Sequence, residues 1–342
     1  MSTPSLVQLL EACLAARAEL IDAAHDSAFR LFNGFTEGLP QLIIDIYAAT
    51  AIITNYADPP QAGEAFILVA QAFLQSHLPW LTAHIVKTRN SPVPAERRGF
   101  VSFGREPAQK VREHGLWYAV NPVVHQDAGL YLDTRNLRRW AFENLKGKEV
   151  LNTFAYTGSL GVAALGGGAR RVVQLDHNQV FLDFARQSCQ LNGFAASEAD
   201  FVNADFFRQA GEFKRQAARF DCVFLDPPFF STGSTGVVDQ VRQSARLVNK
   251  VRPLIEDGGM LVAVNNALFL SGKEYLETLE ALCADGYLKI SEIIPVPADF
   301  TGYPETRRGA PISDPAPFNH STKIVILQVK RRPQRPGCLE TT

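Results

Sequence analysis

From residue 150 onward, short apolar runs alternate with segments whose apolar residues recur every three or four positions. Apolar runs bounded by polar turns predict buried strands, and the second spacing predicts helices. Their alternation favours a Rossmann-like α/β fold, an open parallel sheet with helices on both faces. The last two predicted strands have no predicted helix between them and indicate an antiparallel edge pair. The predicted strands are 150–151, 172–175, 200–202, 220–225, 260–264, 288–294 and 323–329, and the predicted helices include 179–191, 238–254 and 273–284.

The first 114 residues carry a different pattern. Helical spacing covers residues 5–25 and 62–78, and short β runs cover 42–47, 51–56 and 83–88. This mixture predicts a small α+β domain ahead of the Rossmann-like one.

Residues 115–133 alternate apolar and polar positions and predict a β-hairpin with a turn near Gln126 and Asp127. Its second arm continues into a predicted helix at 134–145. The chain is therefore expected to divide into an N-terminal helical segment, an accessory α+β domain, a Rossmann-like domain led by the hairpin, and a disordered tail. The expected bounds are 1–28, 29–114, 115–330 and 331–342.

Composition narrows the class of protein. With 34 basic and 35 acidic residues the net charge is −1, so any case for a nucleic-acid partner must be local. The five cysteines form no CxxC pair, which argues against a zinc site or a disulfide framework and suits a reducing cytosol. No signal peptide and no membrane-spanning stretch are expected. We predict a cytoplasmic protein without a metal; whether it is a monomer or a homodimer stays open.

The stretch from Val150 to Asp176 reads as strand, tight turn, small-residue helix and strand with a terminal acid. This is the pattern of a first βαβ nucleotide-binding unit, in which an acid about 20 residues on accepts from ribose hydroxyls. The turn after the strand holds Gly158 in TGSLG, a poor dinucleotide fingerprint, and its small residues also suit helix–sheet packing. Asp176 could instead cap the next helix. One strand on, Asn203 and Asp205 repeat the arrangement, with the same capping alternative for Asp205.

Asp226, Pro227, Pro228 and Phe229 follow the fourth predicted strand. Two prolines fix the backbone and remove two donors, so the loop is expected to be rigid, with carbonyls free to accept from an amino-bearing ring. Phe229 and Phe230 could stack on that ring; a simple proline turn is the alternative.

Further polar residues stand at expected strand ends. Asn265 and Asn266 could present amides to a base or cap the following turn. If Tyr131, Asp133 and Arg135 lie on a strand they share a face and could converge on one polar ligand, although Asp133 could equally cap a helix.

Most cysteine and histidine side chains are expected to have structural roles, whereas some arginines could form a local binding surface. Cys222 lies in mid-strand and is expected to be buried and inert, and most histidines are expected to be structural. His320, in a polar loop, is the exception that merits attention. Arginines at 97, 98 and 105, together with those at 307 and 308, could line a groove for a phosphate backbone.

Taken together, VLNTFAYTGSL, the DPPFF loop, GLYLDTR and FRLFNGFTEGLPQLIIDIY resemble the class I S-adenosylmethionine-dependent methyltransferases, and within them the bacterial large-subunit rRNA methyltransferases. The likeness covers roughly residues 29–329, without the PUA-type domain of some members. It implies S-adenosylmethionine as cofactor, RNA as partner and an RNA-binding accessory domain. The implied catalytic residues are Asp226, Pro227, Pro228, Phe229, Asn265 and Asn266. The implied cofactor residues are Tyr131, Asp133, Arg135, Phe154, Tyr156, Thr157, Gly158, Asp176, His177, Asn203, Asp205 and Asp226.

The resemblance separates two chemistries. The cytosine-C5 branch carries a nucleophilic cysteine where this chain has Asn265 and Asn266, because an unactivated ring carbon needs covalent help. The guanine-N7 branch has paired asparagines there, and N7 has a lone pair of its own. We therefore expect non-covalent transfer to a base, such as to guanine N7. Cytosine-C5 transfer, a protein or small-molecule substrate, and a non-enzymatic RNA-binding assembly factor are the alternatives.

Overall fold

The structure, a computed structural model, describes residues 4–123, 125–232 and 236–331. Its N-terminal part is a five-stranded sheet in the order β1-β2-β3-β4-β5. All neighbouring strands are antiparallel except β3 and β4, whose parallel pairing requires the crossover helix α3. The strands are β1 Ala28–Asn33, β2 Leu42–Tyr47, β3 Thr50–Asn55, β4 Ala83–Thr88 and β5 Phe100–Gly104, and the helices are α1 Leu6–Ala16, α2 Gly34–Glu37, α3 Glu64–His77 and α4 Pro94–Arg98.

The two faces of this sheet bury different partners. Phe29, Ile44 and Ile53 pack beneath α1 and α3 in one apolar cluster. Tyr47 and Ile52 on the other face belong to the core of the C-terminal part. Part of this second face therefore anchors the first sheet to the rest of the molecule.

The second sheet has seven strands in the order β10-β9-β8-β11-β14-β16-β15. Its strands are parallel except that β16 runs antiparallel to both neighbours, so the predicted antiparallel edge pair is confirmed. The strands are β8 Glu149–Thr153, β9 Arg171–Asp176, β10 Phe201–Asn203, β11 Phe220–Leu225, β14 Ile255–Asn265, β15 Leu288–Ile294 and β16 Lys323–Val329, with a separate hairpin of β12 Phe230–Thr232 and β13 Val237–Asp239. The helices are α5 Arg135–Asn144, α6 Ser159–Gly166, α7 Gln179–Leu191, α8 Phe206–Arg215, α9 Ser244–Val251, α10 Gly272–Cys283 and α11 Ala298–Thr301.

Several predicted elements are wrong in extent. The first helix ends at Ala16, because the backbone leaves the helical conformation at Arg17 and continues as a 3₁₀ turn at Ala18–Leu20; the Arg17 side chain pairs with the buried Glu37 carboxylate. Strand β1 was not predicted at all. The helix predicted at 238–254 begins only at Ser244, because residues 237–239 pair with 230–232 as a hairpin.

The hairpin predicted at 115–133 is also wrong. The chain instead pairs β6 Lys110–Glu113 with β7 Leu116–Ala119, and the turn lies at His114 and Gly115. Both turn residues have positive φ, 51° and 82°, which is typical of a two-residue hairpin connection. The described residues from 120 to 131 form no strand. Apart from Arg331, the predicted tail lies outside the described residues.

Within the described ranges, no helix is long and apolar enough to cross a membrane. Nor does any group of three or more histidine, cysteine, aspartate or glutamate side chains in those ranges form an arrangement that could hold a metal ion.

A buried ionic network joins the two parts around Asp299, on α11. Its carboxylate accepts from the Arg30 backbone N–H at 2.9 Å and from two guanidinium nitrogens of Arg135 at 3.1 and 2.9 Å. Its carbonyl oxygen accepts from Arg17, which also donates to Glu37 at 2.6 Å. The network therefore ties α1, β1, α5 and the segment between β15 and β16 to one point.

Removal of this carboxylate is expected to leave buried cationic groups without a partner. For Asp299→Ala we expect a loss of about 3 kcal/mol or more in the free energy of unfolding, measured by urea denaturation. Glu143→Ala, which breaks the exposed Arg139–Glu143 pair, is the control and should change the same quantity by less than about 1 kcal/mol. Equal effects of the two substitutions would contradict the role given to Asp299.

Stability should also depend on pH through His84 in β4. The ring is fully buried, and neither nitrogen has a hydrogen-bond partner among the described residues. Burial lowers its pKa below the ordinary 6.5, so the unfolded chain takes up a proton at a higher pH than the folded one. Stability contributed by the neutral ring is thus present above pH 6.5 and is lost as the pH falls through the folded-state pKa.

Denaturation of wild type and His84→Phe across this pH range tests the point. The stability of the wild type should fall relative to the variant below pH 6.5. A constant difference would contradict it.

Candidate functional site

Strands β8, β9, β10, β11 and β14 run in parallel, so their carboxyl ends meet at one edge of the sheet, where ligands of open α/β sheets bind. The residues that follow these strands include most of those expected to act. The edge is therefore the candidate active site.

The loop after β8 has an unusual backbone. Phe154, Tyr156 and Gly158 have φ values of 53°, 51° and 74°, a region that non-glycine residues rarely adopt. The Tyr156 N–H donates to the Asp176 carboxylate at 2.9 Å, and the Thr157 hydroxyl donates to the Gly129 carbonyl. A Cβ at Gly158 would come within 2.5 Å of Ala185 Cβ on α7. The small residue thus serves helix packing, and the two aromatic residues carry strain of the kind found at ligand sites.

Asp176 ends β9 with its carboxylate turned into this loop. One oxygen accepts from Tyr156 N and the other from Asn178 N, both at 2.9 Å. The cap of α7 is the Asn178 side chain, so the alternative interpretation of Asp176 as a helix cap is wrong. Burial raises the pKa of the carboxyl.

A cavity of 270 Å³ opens beside Asp176. Carboxylates and aromatic rings share its wall, which fits the hydroxyls and the flat ring of an adenosine group. Asp205 lines it and also caps α8 by accepting from the Arg208 N–H at 3.0 Å, so the capping interpretation is confirmed and the ligand-binding one stays a prediction. The lining residues are Phe154, Leu175, Asp176, His177, Ala204, Asp205, Phe206, Phe207, Ser231, Gly236 and Val238. Asn203 is not among them and donates to the Asp176 carbonyl at 3.5 Å.

Tyr131, Asp133 and Arg135 do not share a strand face, so that expectation is wrong. Residues 132–134 form a turn of 3₁₀ helix, and only Tyr131 and Asp133 of the three line a common cavity. The Tyr131 ring lies 5.1 Å from that of Tyr156, and Asp133 accepts from the Thr322 hydroxyl at 2.8 Å. Arg135 belongs to the Asp299 network instead.

The loop after β11 combines a titratable acid with exposed rings. Burial and the neighbouring Asp133 charge raise the pKa of Asp226 to about 7. The Phe229 and Phe230 side chains are 47% and 57% exposed and are therefore available for stacking. The Pro227 carbonyl was expected to be free to accept from a ligand, and this expectation is wrong, because Gln240 Nε2 donates to it.

Gln240, which the sequence did not single out, connects this loop to the end of β14. Its backbone N–H donates to the Phe229 carbonyl at 3.1 Å, and its side-chain oxygen accepts from the Asn266 N–H at 2.7 Å. Asn265 Nδ2 donates to the Gln240 carbonyl at 3.0 Å, and Asn265 Oδ1 accepts from Ala267 N. The buried Asn265 amide therefore holds the site together and does not present itself to a base, whereas the Asn266 side chain is exposed.

A second cavity, the interdomain cleft, has a volume of 270 Å³ and lies between the first sheet and residues 126–133. Cationic side chains that line it include Arg30, Lys87, Arg89 and Arg97. The buried Lys87 ammonium donates to the His125 and Gln126 carbonyls at 3.0 and 2.9 Å, and burial lowers its pKa to about 8. Of the predicted arginine groove, Arg97 lines this cleft. Nothing in the sequence distinguishes Lys87 from other strand lysines.

Comparisons with known proteins show the family and the fold of this chain. A family model described as S-adenosylmethionine-dependent methyltransferase matches residues 39–304. The chain is 30% identical to a ribosomal RNA large subunit methyltransferase I of Aliivibrio fischeri over 75% of its own length, and the match spans 65% of that relative. It is 30% identical to the protein of the same name from Aeromonas hydrophila, over 87% of this chain and 77% of the relative. A solved methyltransferase complexed with SAH is 20% identical, has a TM-score of 0.82 and matches 96% of this chain and 83% of its own, which shows a shared fold.

Loss of the Asp176 charge should weaken cofactor binding. For Asp176→Asn we expect the affinity for S-adenosylmethionine, measured by calorimetry, to fall by about 10- to 100-fold, the usual value of a hydrogen bond to a charged group. Asp183→Asn, on the exposed side of α7, is the matched control and should bind normally. Normal binding by both variants would remove Asp176 from the site.

Proposed function

This chain belongs to the family of S-adenosylmethionine-dependent methyltransferases, and from that premise we propose that it methylates a base of large-subunit ribosomal RNA. The cofactor is S-adenosylmethionine, and the carboxylate-bearing cavity at the sheet edge suits its adenosine part. Two observations support RNA as the substrate. Curated relatives that match most of this chain carry the name of an rRNA methyltransferase, and cationic side chains line the interdomain cleft next to the site. We assign RNA binding to the accessory domain at 29–114, which supplies those cations.

We further propose that transfer is non-covalent and goes to a ring nitrogen, with guanine N7 as the best candidate. The observation that carries this is the position of the cysteines. Cys222 is fully buried in mid-strand, burial raises its pKa far above the ordinary thiol value, and Cys283 lies at the distal end of α10. Among the described residues, no cysteine stands at the carboxyl edge of the sheet to attack a base. The end of β14 holds Asn265 instead.

The chain's own residues would act by binding and orientation. S-adenosylmethionine supplies an electrophilic methyl group. The exposed rings of Phe229 and Phe230 can stack on a base that has left its helix, and Gln240 fixes the loop that bears them. When the base is held in one orientation and water is excluded, the lone pair of a ring nitrogen can attack the methyl group directly. No nucleophile from the protein is then needed. Asp226, with a pKa of about 7, can accept a hydrogen bond from an amino edge of that base.

Nucleoside mass spectrometry of rRNA from a deletion strain and its parent tests the proposal. We expect one methylated base, 7-methylguanine, to be lost in the deletion strain. Wild type, Cys222→Ser and Cys283→Ser should all restore it, because neither thiol takes part, whereas Asp176→Asn should restore it poorly.

Each other outcome has a distinct meaning. Loss of 5-methylcytosine, or a failure of a folded Cys→Ser variant to restore the base, would contradict non-covalent transfer to nitrogen. No change in any RNA would contradict the RNA substrate altogether.

A further inference from the structure

A third cavity, of 320 Å³, lies between the first sheet and the segment that connects β15 to β16; we call it the lateral pocket. Its walls include Phe35 and Tyr56 from the first sheet's domain and Phe300 and Ile312 from the connecting segment. It shares Arg30, Tyr56, Phe300 and His320 with the interdomain cleft. The two cavities are therefore neighbours across a common wall.

The lateral pocket is separate from the cofactor cavity. None of the residues that line it lines the cavity beside Asp176, and none belongs to the loop of residues 154–158. A ligand in the lateral pocket would thus leave the cofactor cavity open.

Hydrogen bonds between the two domains join residues that line the pocket. The Arg308 and Gly309 N–H groups donate to the Thr36 carbonyl at 2.7 and 2.9 Å, and Asn33 Nδ2 donates to the Phe300 carbonyl at 2.6 Å. A Cβ at Gly309 would come within 2.3 Å of the Phe35 carbonyl oxygen, so only glycine permits this approach. The pocket is preformed by the fold.

Its surface combines flat apolar faces with polar groups. The Arg30 guanidinium lies 4.0 Å from the centre of the Phe300 ring, and the Phe35 and Tyr56 rings meet edge to face at 5.8 Å. Such surfaces stack on unpaired nucleobases.

Hydrogen-bond donors lie beside these faces. Arg307 donates to the Thr301 and Gly302 carbonyls through one nitrogen, which leaves other N–H donors of its five. His320 Nδ1 accepts from the Thr322 N–H, which places the proton of the neutral ring on Nε2. A planar ring with acceptor atoms on its edge, as in a nucleobase, matches both kinds of surface.

We propose that the lateral pocket takes a nucleobase of the RNA substrate directly adjacent to the methylated nucleotide, which itself enters from the interdomain cleft. The inference rests on the RNA substrate proposed above. The common wall brings two neighbouring bases within reach of one another. Arginines in the cleft, among them Arg89 and Arg97, complement the backbone phosphates. The enzyme would thus read two consecutive unstacked bases.

An obstructed pocket tests the proposal. Ala310 lies exposed at the wall of the pocket, so Ala310→Phe should fill space there without disturbing the core. Ala65→Phe, on the exposed face of α3, is the matched control, and Ile312→Ser is a second pocket variant that fills nothing. Thermal melting and S-adenosylmethionine binding should be unchanged in all three.

The substrate is a stem-loop around the methylated nucleotide, made intact and with an abasic site on either side of it. We expect Ala310→Phe to raise KM for the intact RNA by about 10- to 100-fold, the usual effect of one lost base stack, and Ala65→Phe to leave it unchanged. One of the two abasic RNAs should raise KM for wild type by a similar factor. The effects of Ala310→Phe and of the abasic site on KM should not be additive, because both changes remove the same contact.

The outcomes are distinguishable. Two results would contradict the role of the lateral pocket and leave the proposed function intact. In the first, removal of either neighbouring base leaves KM unchanged. In the second, the effects of Ala310→Phe and of the abasic site on KM are additive. A chain that methylates no RNA would overturn the proposed function and this inference with it.

Discussion

The buried carboxylate of Asp299 is the point on which the arrangement of the two domains depends. The carboxylate accepts from the β1 backbone and from the guanidinium of Arg135. The backbone carbonyl of Asp299 accepts from Arg17. A buried guanidinium is costly without its partner, so these contacts stabilise the observed position of the two sheets relative to each other. The interdomain cleft and the lateral pocket are the spaces left between them. The shape of both cavities therefore depends on charge pairing between the two parts of the chain.

A second constraint acts at the sheet edge. Parallel strands deliver their following loops to one side, which brings the loop of Tyr156, the acid of β9 and the loop of Asp226 together. Gln240 then joins the Asp226 loop to the end of β14 through backbone and side-chain hydrogen bonds. The two prolines restrict the backbone of this loop, and the hydrogen bonds of Gln240, between β13 and α9, hold the loop in place.

The candidate active site at the sheet edge lies next to the wall that the interdomain cleft and the lateral pocket share. Asp133 raises the pKa of Asp226 and accepts from Thr322, whose backbone N–H in turn fixes the His320 ring in the wall shared by the cleft and the lateral pocket. A short chain of hydrogen bonds and charges therefore joins the candidate active site at the sheet edge to the proposed RNA-reading surface. The residues expected to select the RNA come largely from the accessory domain, and those expected to hold the cofactor come from the second sheet.

Local pattern alone determined the fold class, the antiparallel edge pair, and the loops after β8, β9 and β11, because period and turn chemistry are properties of neighbouring residues. The family resemblance carried by those loops led to the cofactor. Tertiary structure alone decided the roles of Arg135, Asn265, Gln240 and Lys87. Each of these side chains finds its partner on an element distant in the chain, Arg135 at Asp299 and Lys87 at His125, for example. No periodicity encodes a contact between residues that only the packing of two sheets brings within 3 Å, so the cleft and its lateral pocket became visible only in the folded molecule.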